Sequence, residues 1–109
     1  MKSLNFNRKF KKMLIKGKKT TTLRKGYSKD ILPGDIIELK VDSKPIGVAK
    51  VTKVRHLKLR DLTEEDIKKD GFKTKEELMK ILRYFYGKKI NDDTNFTQIE
   101  FEILKIISK

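Results

Sequence analysis

The chain has 109 residues, which fits one compact domain spanning 1–109 and is too short for two. It has no cysteine, so disulfides, thiolate metal sites and a cysteine nucleophile are excluded, and no apolar run approaches the length of a membrane span. A formal net charge of +13 points to a polyanionic partner, and the basic N-terminus lacks the apolar core of a secretory signal, so a soluble cytoplasmic protein with no membrane contact is expected.

The positive charge is clustered. Residues 1–29 hold 11 lysines and arginines and no acid, whereas the rest of the chain holds 17 basic and 15 acidic residues. A general preference for lysine would spread along the chain. Clustering instead suggests one polyanion-binding face, with nucleic acid as the expected partner.

In chain order, residues 4–16 read as a helix, because Phe6, Phe10, Met13 and Leu14 recur with helical spacing. Arg8, Lys9, Lys11, Lys12 and Lys16 cover its other face, and Gly17 ends it. Thr20 to Arg24 is β-branched and reads as a short strand. Residues 25–34 form a loop closed by Pro33-Gly34. Asp35 to Val41 is a strand, Ser43-Lys44-Pro45 a turn, and Ile46 to Leu59 a long strand. The apolar alternation of that strand slips phase near Lys50-Val51, which predicts a bulge.

Thr63-Glu64-Glu65-Asp66 is a helix-start signal, and Gly71 ends the short helix it opens. Thr74-Lys75-Glu76-Glu77 repeats the signal, followed by the stripe Leu78, Ile81, Leu82, Phe85, read as core. Gly87 and a polar loop over 88–95 lead to a last strand, Phe96 to Ile107, with Ile99, Phe101 and Ile103 inward and Gln98, Glu100 and Glu102 outward. Sequential strands without regular crossover helices indicate an α+β domain built on a small curled sheet or barrel.

Gly17-Lys18-Lys19-Thr20-Thr21-Thr22-Leu23-Arg24 concentrates a glycine turn, hydroxyls and cations. A hydroxyl between two cations can hold a polar or anionic ligand, or be activated as a nucleophile. The plainer alternative is a helix end followed by an edge strand of threonines with solvated lysines. His56 is the sole histidine and builds neither a metal site nor a triad, so no metal and no cofactor are expected.

The spacing Gly17-x-Lys19-x-x-Thr22-x-Arg24 resembles the signature of the ASCH domain family, whose members are PUA-like β-barrels. Pro33-Gly34-Asp35, Leu62-Thr63-Glu64-Glu65, Asp70-Gly71-Phe72 and Phe96-x-x-Ile99-x-Phe101 are similar to that family in the same order. The resemblance implies a barrel with helices at its ends and a basic cleft that binds RNA or a nucleoside. By the same resemblance, one branch deacetylates N4-acetylcytidine with a lysine, a threonine and a glutamate, which map to Lys19, Thr22 and Asp70. Asp70 is one methylene shorter than that glutamate, whereas Thr22 matches the hydrolase branch.

The expectation is therefore an RNA- or nucleoside-binding domain, with Lys18, Lys19, Thr22 and Arg24 holding the ligand and Tyr84 stacking on it. The alternatives are an amidohydrolase with Lys19, Thr22 and Asp70 as catalytic residues, and a basic protein-interaction module. In a regular strand Lys19 and Thr22 would face opposite sides. The two can meet only if Lys19 lies in the bend after Gly17, before pleating begins.

Overall fold

A computed structural model describes residues 1–107. Its strands are β1 (Ser3–Phe6), β2 (Thr21–Lys25), β3 (Ile36–Val41), β4 (Lys44–Lys58) and β5 (Asn95–Ile106), and its helices are α1 (Lys11–Ile15), α2 (Glu64–Lys69) and α3 (Lys75–Tyr86). Single 3₁₀ turns lie at Arg8–Phe10 and Leu59–Asp61. All five strands join one sheet in the order β1-β3-β4-β5-β2, with β1 parallel to β3 and every other pairing antiparallel.

The sheet curls into a half-barrel. β4 spans 15 residues, pairing with β3 through its first half and with β5 along most of its length. Its register against β5 shifts at Val48/Ala49 and again at Val51/Lys53. These two irregularities flank the predicted slip and bend the strand, as bulges do. The curl brings the opposite edge strands together, so that Arg24 Nη2 on β2 donates to the Asn5 carbonyl on β1 at 3.1 Å. Leu14, Ile37, Leu39, Val51, Leu78 and Phe96 fill the interior.

The N-terminal segment departs from the predicted helix. Ser3–Phe6 is a strand whose Leu4 and Phe6 point inward, and only Lys11–Ile15 is α-helical. The period-two pattern Ser-Leu-Asn-Phe carries the strand, and Asn7 caps the turn after it by accepting from Lys9 N at 2.9 Å. A five-residue helix gains little from propensity, so tertiary pairing with β3 decides the segment.

Two smaller expectations also change. The β3–β4 turn is Asp42-Ser43, both left-handed (φ 48° and 67°), as a two-residue hairpin turn requires, and Lys44 and Pro45 already belong to β4. Gln98 is buried, not outward, because Arg55 donates to its side-chain oxygen from both Nε (2.8 Å) and Nη2 (2.6 Å). The same arginine donates to Asp66 at 2.8 Å and ties α2 to the sheet.

Candidate functional site

Lys19 lies in a bend after Gly17, the position from which it was expected to meet Thr22. Gly17 adopts φ +73°, and the Lys18 and Lys19 N–H groups both donate to the Met13 carbonyl, at 2.8 and 3.1 Å, so the chain turns before β2 begins at Thr21. Thr20 N then donates to the Lys69 carbonyl at 2.7 Å. This bond sets the end of α2 beside the bend, and Asp70, the α2 C-cap, faces Lys19.

Gly71 permits the approach. It has φ +98°, and a Cβ there would stand 2.8 Å from Met13 Sδ and 3.6 Å from Lys19 Cβ. Only glycine adopts this backbone without strain, and its missing side chain leaves the room that Met13 and Lys19 occupy.

Lys19 Nζ forms an ion pair with Asp70 Oδ1 and also donates to the Asp70 carbonyl at 3.0 Å. Both residues are only 3% exposed. Nζ sits 4.9 Å from the centre of the Phe10 ring and 5.7 Å from that of Phe72. Burial pushes the Lys19 pKa down, against the opposing pull of Asp70, and Arg24 adds a smaller push downward. Burial pushes the Asp70 carboxyl up, opposed by Lys19 and Arg24. Desolvation, more than the neighbouring cation, is thus what weakens Lys19 as an acid-base group's charged form.

Thr22 is buried on β2 and lines the same cleft, but its hydroxyl accepts from Arg24 Nε at 3.2 Å. Lys19 hydrogen-bonds Asp70 and not Thr22. Arg24 uses one N–H on Thr22 and one on Asn5, and its guanidinium lies 5.0 Å from the Phe6 ring. A guanidinium has five N–H donors, so three have no protein acceptor among the described residues. Burial lowers its pKa, yet a guanidinium stays cationic near neutrality. With Lys19 and Asp70 cancelling, Arg24 is the net charge of the cleft.

The cleft has a volume of about 260 Å³ and joins Lys19, Thr22, Arg24 and Asp70 to the side chains of Asn5, Asn7, Phe10, Phe85 and Tyr86. Phe85 is 39% exposed and forms a wall of the cleft where the stripe predicted core. Two expected ligand residues lie outside it. Lys18 is exposed and contributes nothing to the lining, because the bend that turns Lys19 inward turns its neighbour out. Tyr84 is 66% exposed and stacks under Lys9, 4.3 Å from ring centre to Nζ. Tyr86, two residues on and so about 200° round α3, lines the cleft instead.

The sequence reading missed Asn5, Phe6 and Asn7 as lining residues, since it assigned them to a helix. The alternation of Ser3–Phe6 and the capping residue Asn7 were the signals for them. Among the described residues no cluster of acids and histidine is arranged to hold a metal.

A family model for the ASCH domain matches residues 2–105. No curated protein matches the chain. Among solved structures, protein EF3133 of Enterococcus faecalis V583 is similar with a TM-score of 0.73 at 17% identity, over 87% of this chain and 66% of that one. The ASCH domain of Lactobacillus crispatus JV V101 is similar with a TM-score of 0.68 at 18% identity, over 84% of this chain and 68% of that one. The chain thus spans about two thirds of the length of these two proteins. The hypothetical protein PH0355 is similar with a TM-score of 0.71 at 28% identity, over 95% of this chain and 100% of that one.

Proposed function

Because this chain belongs to the ASCH domain family, a PUA-like fold, we propose that its cleft binds one nucleotide of RNA, with the base against the aromatic lining on α3 and a phosphate on Arg24. The observation that carries this reading is Arg24. It is a partly buried cation with three unfilled N–H donors and no carboxylate partner among the described residues. Phe85, exposed at the rim of the cleft, and half-buried Tyr86 supply aromatic surface beside it. Lys19 contributes shape more than charge, since Asp70 neutralises it.

Titration calorimetry with cytidine and cytidine 5′-monophosphate tests the reading. The monophosphate is expected to bind about tenfold or more tighter, the worth of a charge-assisted hydrogen bond. Arg24→Lys keeps the charge but loses the planar fork, and should remove most of that advantage with little change in melting temperature. Equal affinity for the two ligands would overturn the reading.

A second reading, amidohydrolysis of an N4-acetylcytidine-type substrate, is favoured by the opposite pKa directions of Lys19 and Asp70. A neutral Lys19 amine would accept the proton of the Thr22 hydroxyl as it attacks the acetyl carbon. A protonated Asp70 would give its proton to the departing amine, and water would then release acetate from Thr22. This requires Thr22 to exchange its Arg24 contact for Lys19. Release of cytidine from N4-acetylcytidine, abolished in Thr22→Val, is the result this reading demands.

A further inference from the structure

Arg24 lines a second cavity as well as the first. This groove, of about 440 Å³, lies along the seam between edge strands β1 and β2 and is bounded by Lys2, Arg24, Ser28, Asp30, Ile31 and Thr97, with Lys2 paired to Asp35 at 2.9 Å. The Arg24–Asn5 hydrogen bond is thus a crossbar between two compartments of one seam. The groove combines apolar side chains, hydroxyl groups, one carboxylate (Asp30) and a cation, Arg24, shared with the cleft.

Ser28, which lines the groove, is followed back along the chain by an exposed aromatic residue, Tyr27, that pairs with His56. Tyr27 and His56 stack with centroids 5.0 Å apart and an interplanar angle of 26°, and Tyr27 is 54% exposed. The pair is fixed in place, since His56 Nε2 lies 2.7 Å from the Ser28 carbonyl and Thr97 Oγ1 accepts from Ser28 N at 2.9 Å. Tyr27 is thus stacked on one side and still more than half exposed. Lys25, Lys29 and Lys58, all exposed, lie in the same strand ends and loop, alongside Asp30 and Asp61.

We propose that the seam is a second nucleotide subsite, so that the ligand is single-stranded RNA of at least two nucleotides. One base occupies the cleft, the linking phosphate sits on Arg24, and the neighbouring nucleotide follows the groove to stack on Tyr27. This rests on the nucleotide reading of the cleft given above. An oligonucleotide fits better than a peptide, because a cation with unfilled N–H donors and an exposed ring are what a phosphate and a base each require.

Calorimetry with cytidine 5′-monophosphate and with oligocytidylates of two to four nucleotides tests it in one buffer. The dinucleotide is expected to bind at least about fivefold tighter than the monophosphate, the lower end of what one stacked base contributes. Tyr27→Ala should remove that gain and leave monophosphate affinity unchanged, while Tyr27→Phe should keep it. Two charge reversals in the groove should act oppositely on the oligonucleotides alone, Lys2→Glu weakening and Asp30→Lys strengthening them. Equal affinity for monophosphate and dinucleotide overturns the second subsite while leaving the cleft. A gain that survives Tyr27→Ala overturns it too. Failure of every probe to bind overturns the reading of the cleft, and this inference with it.

Discussion

At the scale of single residues, the Lys19–Asp70 pair is the feature on which both readings of the cleft depend. Two buried charges held this way lose hydration that their attraction only partly offsets. Removing one partner strands the other, so Asp70→Leu is expected to cost about 3–5 kcal/mol. The double variant Lys19→Met, Asp70→Leu should recover most of that loss, because neither charge then remains buried. Urea denaturation of the two variants measures the difference. A double variant as unstable as the single one would mean that the pair does more than satisfy itself. The motif Gly17-x-Lys19-x-x-Thr22-x-Arg24 named the candidates, and the bend that would let Lys19 meet Thr22 is present without that contact. It did not show that Thr22 partners Arg24 instead of Lys19, since side-chain pairing depends on what α2 brings up from fifty residues away.

At the scale of elements, α2 is what builds the site, and its two ends do different work. At its start the Thr63 hydroxyl accepts from Asp66 N at 3.1 Å and Thr63 N donates to Asp66 at 2.9 Å, the reciprocal cap that the sequence predicted. Burial pushes the Asp66 carboxyl up, but the Thr63 N–H, the Thr63 side chain and Arg55 together hold it below the usual carboxylate range. A carboxyl lowered on folding stabilises the fold above its unfolded pKa and loses that contribution as pH falls through the folded one. Melting temperature should therefore fall as pH drops below the ordinary carboxylate range, and Asp66→Asn should flatten that part of the profile. At the other end of α2, Gly71→Ala forces a left-handed alanine against Met13 and is expected to cost about 1–3 kcal/mol. Thermal denaturation measures the cost, and a neutral result would mean that the bend relaxes freely.

At the scale of the whole molecule, charge and curvature act together. The basic cluster of residues 1–29 covers the turn, α1 and β2, the elements that also supply Asn7, Phe10, Lys19 and Arg24 to the cleft. RNA affinity is therefore expected to fall steeply and linearly in a plot of log affinity against log salt concentration. Reversing Lys9, Lys12 and Lys16 to glutamate should weaken binding and reduce that slope while leaving the melting temperature near that of the parent. Fluorescence anisotropy over a salt series checks both, and an unchanged slope would place the phosphate contacts elsewhere. Among the described residues no helix is long and apolar enough to cross a membrane.

The sequence alone determined the last four strands, both capped helices and the candidate residues Lys19, Thr22, Arg24 and Asp70, because caps, glycine stops and period-two runs are local properties. The tertiary structure decided the rest. Whether Ser3–Phe6 is helix or strand depends on whether β3 offers an edge to pair with. Whether Gln98 faces water depends on Arg55 and Asp66 reaching it. Which tyrosine of Tyr84 and Tyr86 enters the cleft depends on how α3 rotates against β2. The closure of the seam by Arg24 depends on how far the sheet curls, and curl accumulates over all five strands and is written in no single one.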